Sequence, residues 1–204
     1  MKVHKLPFGP IEANCYIIET DKKSILIDPC IDIKHIPELS SPIDSIIITH
    51  CHFDHIANMV DIKNKTKANV YAHKFEFPSF SDSEKNGSIY FMNEKTFPKP
   101  DFDITPEIKI DLDGVWMIEF IHTPGHSSGS ISVLLYEYDN LRYCFTGDTL
   151  FKESAGRTDL GGNPVQLKNS LNIFKQFSND VIVCPGHGSD STIGYEKKYN
   201  PFLN

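Results

Sequence analysis

The run IDSIIIT (residues 43–49) passes directly into HCHFDH (residues 50–55). The first part is continuously apolar and β-branched, the pattern of a strand buried on both faces. The second part sets three His and one Asp within six residues at that strand's end. From composition, chance predicts on the order of 10⁻³ such H-x-H-x-D-H patterns in a chain of this size. A divalent ion needs three or four N or O ligands at ~2.0–2.2 Å, and imidazole suits zinc and iron. His50 and His52, two apart on extended backbone, project to the same side. Asp54 and His55 fall where a turn enters a helix and can face a second point nearby. The plainer reading is a polar loop in which Asp54 caps that helix. One carboxylate can cap and ligate together.

Three further segments repeat this setting. TPGHSSGS (123–130), TGDT (146–149) and PGHG (185–188) each follow a strand-like run. Each puts one metal-binding residue, His126, Asp148 or His187, into a Gly-containing turn. Gly permits tight turns and close backbone approach. Alone, each segment is weak, because a lone Gly-His turn is more often structural. With the cluster they bring the candidate ligands to seven: His50, His52, Asp54, His55, His126, Asp148 and His187. That number suffices for two metals. Asp148 is the natural bridge, since a carboxylate has two oxygens and an imidazole one available nitrogen.

Outward from these segments the chain reads as α/β. Strands are expected at residues 15–20 and 24–28, with a polar turn between them, and at 69–72. A helix is expected after Asp32, and another over residues 56–65. Residues 78–106 hold four Pro and many polar residues, the composition of a loop-rich connection between halves. Strands are expected again at 115–121, 130–136 and 141–146, with a turn at Asp139 and Asn140. Pro164 can open a helix through Phe177, on which Val165, Leu167, Leu171, Phe174 and Phe177 form a stripe. A last strand at 180–184 and a last helix at 192–199 complete the pattern. Strands then a helix, twice over, suggest two similar halves packed as layers.

Composition narrows the function classes. With 204 residues, 40% hydrophobic and 23% charged, the chain is an ordinary globular one with enough length for a core. No apolar run approaches the ~20 residues of a membrane span. The net charge of −7 argues against a nucleic-acid partner. Five scattered Cys with no C-x-x-C pair, and an N-terminus without an apolar core, point to reduced thiols in a cytoplasmic protein.

The ordered set THCHFDH (49–55), TPGH (123–126), GDTLF (147–151) and PGHG (185–188) resembles the metallo-β-lactamase-fold hydrolases, over residues 12–190. That resemblance implies a four-layer αββα sandwich of two pseudo-symmetric halves, forming a single domain over residues 1–204. It implies that His50, His52 and His126 hold one metal, that Asp54, His55 and His187 hold a second, and that Asp148 bridges them. Zinc is the first expectation, and iron and manganese also fit the ligand set.

The secreted zinc β-lactamases carry Cys where this chain has Asp148, and the flavodiiron proteins carry Glu in place of His52. GDTLF (147–151) followed by GRTDL (156–160) looks most like the glyoxalase II group and its relatives, the persulfide dioxygenases. The expected activity is hydrolysis of a small-molecule thioester by a metal-bridging hydroxide, with Asp54 orienting it and accepting its proton. A thiolate leaves without a general acid, because a thiol pKa is near ~8.5. No C-terminal glutathione-binding helical domain of the kind carried by well-known glyoxalase II enzymes is expected here, and GRTD stands where those enzymes carry a GKFY-like segment. Glutathione recognition does not follow from the resemblance. The alternative is a mononuclear iron persulfide dioxygenase, with His50, His126 and Asp148 as its facial triad. A closed structural zinc site fits poorly with seven O/N ligands and no Cys.

Arg157 is one of only two Arg. It can clamp a substrate carboxylate bidentately, or instead pair with Asp159 to shape its loop. His73 and His122 recur near strand ends and are candidates for supporting the metal ligands from outside. Cys51 alternates with His50 and His52 and should point away from the metal.

Overall fold

In the computed structural model, residues 1–91, 93–105 and 107–203 are described. Pro106, the last residue of the expected loop, lies outside them. The chain divides into two compact units, Met1–Ile104 and Thr105–Asn204. Both are α/β units built on a mixed six-stranded sheet.

The first unit opens with β1 (Lys2–Phe8), β2 (Ala13–Glu19) and β3 (Ser24–Ile27), an antiparallel meander. It continues with β4 (Ile43–Ile47), β5 (Asn69–Ala72) and β6 (Phe102–Asp103), all parallel to β3. Every residue of β2 and β3 is buried, and Leu26, Ile46, Ile48, Ile56 and Val70 belong to one apolar cluster. Such strands carry apolar side chains on both faces, which is why they read as unbroken runs.

β1 has no counterpart among the sequence expectations. Lys2, His4, Lys5 and Pro7 hide its strand character. It sits at the sheet edge and pairs only with β2, from Lys2 opposite Glu19 to Phe8 opposite Ala13. A half-buried edge tolerates Lys and Pro that a central strand would not.

The helix expected at 56–65 is two pieces, α1 (Phe53–Ile56) and α2 (Met59–Thr66). The break falls at Asn58, whose amide side chain donates to the Cys30 carbonyl (2.5 Å) and whose N–H donates to Pro29 (3.0 Å). That contact with the chain leaving β3 replaces helical bonding. After Asp32 only a 3₁₀ turn forms, with the Asp32 carboxylate accepting from Lys34 N–H. The Pro-bearing stretch after β5 is folded into the first unit up to Ile104. It contains α3 (Phe77–Phe80), α4 (Ser88–Phe91) and β6.

The second unit repeats the plan. β7 (Ile110–Asp111), β8 (Trp116–His122), β9 (Ile131–Glu137) and β10 (Asn140–Gly147) form an antiparallel meander. A small hairpin, β11 (Leu150–Phe151) with β12 (Ser154–Ala155), precedes α5 (Pro164–Phe174). Then β13 (Ile182–Pro185) pairs parallel to β10 and antiparallel to β14 (Ser191–Thr192), and α6 (Ile193–Tyr199) follows. Leu167, Leu171 and Phe174 of α5 pack with Cys144, Val181 and Val183, as the stripe predicted. Val165 stays exposed at 68%, so the stripe's first member faces solvent. No described helix is long and apolar enough to cross a membrane.

Candidate metal centre

In the first unit, β3, β4 and β5 run parallel, so their C-terminal ends release the chain at one edge. The metal motif leaves β4 there. His50 and His55 are fully buried and His52 nearly so. The rings of His50 and His52 lie 4.8 Å apart, and those of His50 and His55 4.2 Å. His52 has extended backbone and occupies the cap position of α1 without a side-chain cap bond. Asp54 therefore lies in the first turn of that helix and is not its N-cap. Its Oδ2 faces His55 Nε2 at 3.5 Å.

Below the motif lies a residue absent from the sequence expectations, Asp28. It follows β3 with φ of +53°, in the left-handed region. Its Oδ1 accepts Thr49 N–H (2.7 Å), and its Oδ2 accepts Thr49 Oγ1–H (2.7 Å) and His55 Nδ1–H (2.9 Å). These bonds fix two tautomers. His55 must carry its proton on Nδ1 to donate to a carboxylate, so Nε2 presents the lone pair. Thr49 spends its only hydroxyl proton on Asp28, so its Oγ1 accepts from His50 Nδ1–H (3.1 Å). His50 Nε2 then carries the lone pair as well. Ligand-capable atoms of Asp28, His50 and His55 fall within 4.8 Å of one another. Asp28 accepts three hydrogen bonds, which makes it the outer support of this group. The signal in the sequence was an Asp closing a fully apolar run.

In the second unit, three turns are tied together by one backbone and one side-chain hydrogen bond. Gly186 N–H donates to the Gly147 carbonyl (2.8 Å), tying the His187 turn to the Asp148 turn. Thr149 Oγ1 donates to Thr123 (3.3 Å), tying the Asp148 turn to the His126 turn. Gly156 passes so close beneath Asp148 that an added Cβ would lie 1.8 Å from the Asp148 carbonyl oxygen. The next residue, Arg157, accepts His126 Nδ1–H on its backbone carbonyl (2.8 Å). A carbonyl can only accept, so His126 also turns Nε2 to the ligand side.

His126 Nε2 and His187 Nε2 approach the same oxygen, Asp148 Oδ2, at 3.5 and 3.6 Å. These distances exceed those of an N–H···O hydrogen bond. They match two donors ~2.1 Å from a shared ion at a near-tetrahedral angle, which lie about 3.4 Å apart. The Asp54–His55 spacing in the first unit is the same. Both donor sets therefore fit divalent metal.

Arg157's guanidinium is paired with Asp159 through both carboxylate oxygens, one contact at 2.6 Å. Arg157 holds the Asp159 carboxyl down at about 2. The pair is exposed. His73 Nδ1 accepts Phe75 N–H in a 3₁₀ turn, and His122 Nε2 donates to the Ser128 carbonyl (2.9 Å). Cys51 packs in the apolar cluster, and burial pushes its thiol well up, with the Glu76 charge adding to this. All five Cys are buried, and none is in a disulfide.

The model of the Metallo-beta-lactamase superfamily matches residues 8–187. The probable metallo-hydrolase YqgX of Bacillus subtilis is 33% identical, covering 100% of this chain and 98% of the relative. The hydroxyacylglutathione hydrolase GloC of Haemophilus influenzae is 31% identical, covering 100% and 99%. Among solved structures, the BLEG-1 B3 metallo-beta-lactamase superposes with a TM-score of 0.90, at 35% identity and 100% coverage of both chains. TTHA1623 in a di-iron-bound form gives 0.79, at 27% identity, covering 98% and 100%. ETHE1 from Myxococcus xanthus gives 0.75, at 26% identity, covering 98% of this chain and 84% of the other. These superpositions show the metallo-β-lactamase fold.

Proposed function

The chain belongs to the metallo-β-lactamase superfamily, and on that premise we propose that it is a dinuclear metal-dependent hydrolase of the glyoxalase II-like kind, acting on a thioester. The observation that carries this reading is the shared oxygen of Asp148. One carboxylate oxygen faces two imidazoles at the spacing of ligands that share an ion, which supports metal binding by Asp148 together with His126 and His187. The likeness to GloC supports the thioester assignment.

Two divalent ions held by the seven ligands, in the roles the family resemblance gives them, would supply an acidified water and an electrophile for the carbonyl oxygen. The chain's own residues do the rest. Asp28, Thr49 and the Arg157 carbonyl fix imidazole tautomers before any ion arrives. Asp54, directed at His55 by α1, is the group proposed to orient the attacking water and take its proton. A thiolate departs without a proton donor. Arg157 is the proposed contact for a substrate carboxylate, which would exchange with Asp159. An exposed ion pair is a weak competitor, so such an exchange is cheap.

Metal content per chain, by plasma mass spectrometry on protein purified without chelator or affinity metal, is the first test. About two divalent ions per chain, followed by turnover in a thioester panel, is the expected result. A β-lactam belongs in that panel as a comparison. Near one iron per chain, with oxygen uptake on a persulfide, would replace this reading with the dioxygenase. The GRTD stretch (156–159) and the ETHE1 likeness support that second reading.

A further inference from the structure

β4 lies between β3 and β5, and all three run in the same direction. The loop that carries His50 therefore emerges with a neighbouring strand end on each side. The Ile48 N–H still donates to the Tyr71 carbonyl of β5 (2.9 Å); beyond it the amides have left the ladder, and in a buried loop each N–H still needs an acceptor. On the β3 side, Asp28 supplies one, accepting Thr49 N–H at 2.7 Å. On the β5 side, the acceptor comes from the 3₁₀ turn Lys74–Glu76. Glu76 Oε2 accepts Cys51 N–H at 2.7 Å. The two amides that flank His50 thus both end on buried carboxylates. Asp28 and Glu76 are each 2% exposed, and Cys51 is 1% exposed.

We propose that Glu76 is a positioning residue of the metal centre, fixing the peptide between His50 and Cys51 so that His50 and His52 keep their mutual geometry. Carboxylates are seldom buried this deeply, and a residue kept only for packing would not need a charge-bearing acceptor. A carboxylate accepts without donating, so it suits a backbone N–H that must not be displaced by a competing donor. Glu76 acts at one remove. It holds Cys51 N–H, and the chain from residue 50 to residue 52 transmits that restraint to both imidazoles. The turn bearing it is itself closed by His73, whose Nδ1 accepts Phe75 N–H. His73 thus supports Glu76 from within the same turn.

This inference rests on reading residues 50–55 as a metal motif, and its test is metal binding, with no assay of turnover. Full-length wild type, Glu76→Ala and Glu76→Gln are stripped of metal and titrated with Co²⁺ against a competing chelator. The visible d–d bands report ligand geometry, and melting of the metal-free proteins reports the fold. Glu76→Ala is expected to weaken Co²⁺ binding about 10–100-fold and to alter the bands. Glu76→Gln keeps an acceptor oxygen, so it is expected to stay within about threefold of wild type with the native spectrum. Wild-type affinity and bands in Glu76→Ala would overturn the assignment, and so would an equal loss in Glu76→Gln. If Glu76→Ala does not fold, Glu76→Asp takes its place. It keeps the charge and withdraws the acceptor by one methylene, so weaker binding is expected and wild-type binding overturns the proposal. A wild-type chain that takes up no Co²⁺ sinks the metal reading itself. Normal wild-type uptake with no effect of the Ala variant sinks only the role of Glu76.

Discussion

Asp28 shows how one side chain can set the chemistry of several others. It accepts from Thr49 N–H, Thr49 Oγ1–H and His55 Nδ1–H, and through Thr49 it decides which nitrogen of His50 is protonated. Asp28→Asn is nearly isosteric, yet one of its two terminal atoms becomes an NH₂ donor. Whichever way the amide turns, that donor meets Thr49 N–H or the proton on His55 Nδ1. Relief through His55 moves its proton to Nε2 and removes the lone pair a metal needs. The expected outcome is a loss of about 10–100-fold in metal affinity, read by chelator competition. Unchanged affinity would show that the tautomer is set elsewhere. Gly156 makes a steric version of the same point. A methyl there would meet Asp148 backbone, which cannot rotate away. Gly156→Ala is expected to destabilise the fold by about 1–3 kcal/mol and to lower metal per chain, because the carbonyl of Arg157 moves with it. Four of the seven ligand candidates could be named from sequence because they stand within six residues, and the other three because each sits in a Gly-containing turn after a strand-like run. Asp28, Glu76 and Gly156 could not, since their roles depend on partners 21, 25 and 8 residues away.

Elements were legible in proportion to how completely they are buried. β2, β3 and β4 announce themselves as apolar runs, and the stripe of α5 announces a helix. β1, half-buried at the edge, does not, and the break between α1 and α2 is set by Asn58 bonding to the distant residues Pro29 and Cys30. The start of α5 was readable from Pro164, and the reason for its stability stands one residue earlier. Asn163 Oδ1 accepts both Val165 N–H and Gln166 N–H at 3.0 Å, satisfying two donors that the first turn leaves without helical acceptors. Its own N–H donates to the Gly125 carbonyl (2.7 Å), beside His126. Gly125 itself has φ of +141°, and any Cβ would lie 2.3 Å from the Leu167 backbone. The cap thus joins helix stability to the loop of a metal ligand. Asn163→Ala is expected to cost about 1 kcal/mol. In a chain of this size that lowers Tm by about 2–4 °C. A thermal melt that moves by less than a degree would mean that packing of Leu167 and Leu171, and not the cap, holds the helix start.

At the scale of the whole chain, the repeated plan of meander followed by parallel crossover was legible from two runs of strands each followed by a helix. What ties the outermost strand into that plan was not. Glu19 ends β2 and is 4% exposed. It accepts from Ser40 Oγ–H (2.5 Å), Ser40 N–H (2.7 Å) and His4 Nε2 (2.6 Å). It therefore links β1, β2 and the segment leading into β4. The Ser40 hydroxyl and amide, then His4, hold the Glu19 carboxyl down at about 2, below its ordinary value of 4.5. A carboxyl whose pKa is lower folded than unfolded stabilises the fold fully above its unfolded value. That contribution is lost as pH falls from 4.5 towards 2, because the folded state must then take up a proton it resists. Gln at position 19 has no charge to lose. Metal-free wild type is accordingly expected to melt above Glu19→Gln at pH 6, with the difference in Tm shrinking steadily below pH 4.5 as acid is added. A gap that stayed constant over that range would assign the contribution of Glu19 to shape and neutral hydrogen bonding. A gap that closes would show that one buried charge, reached from three separate segments, carries part of the acid stability of the molecule.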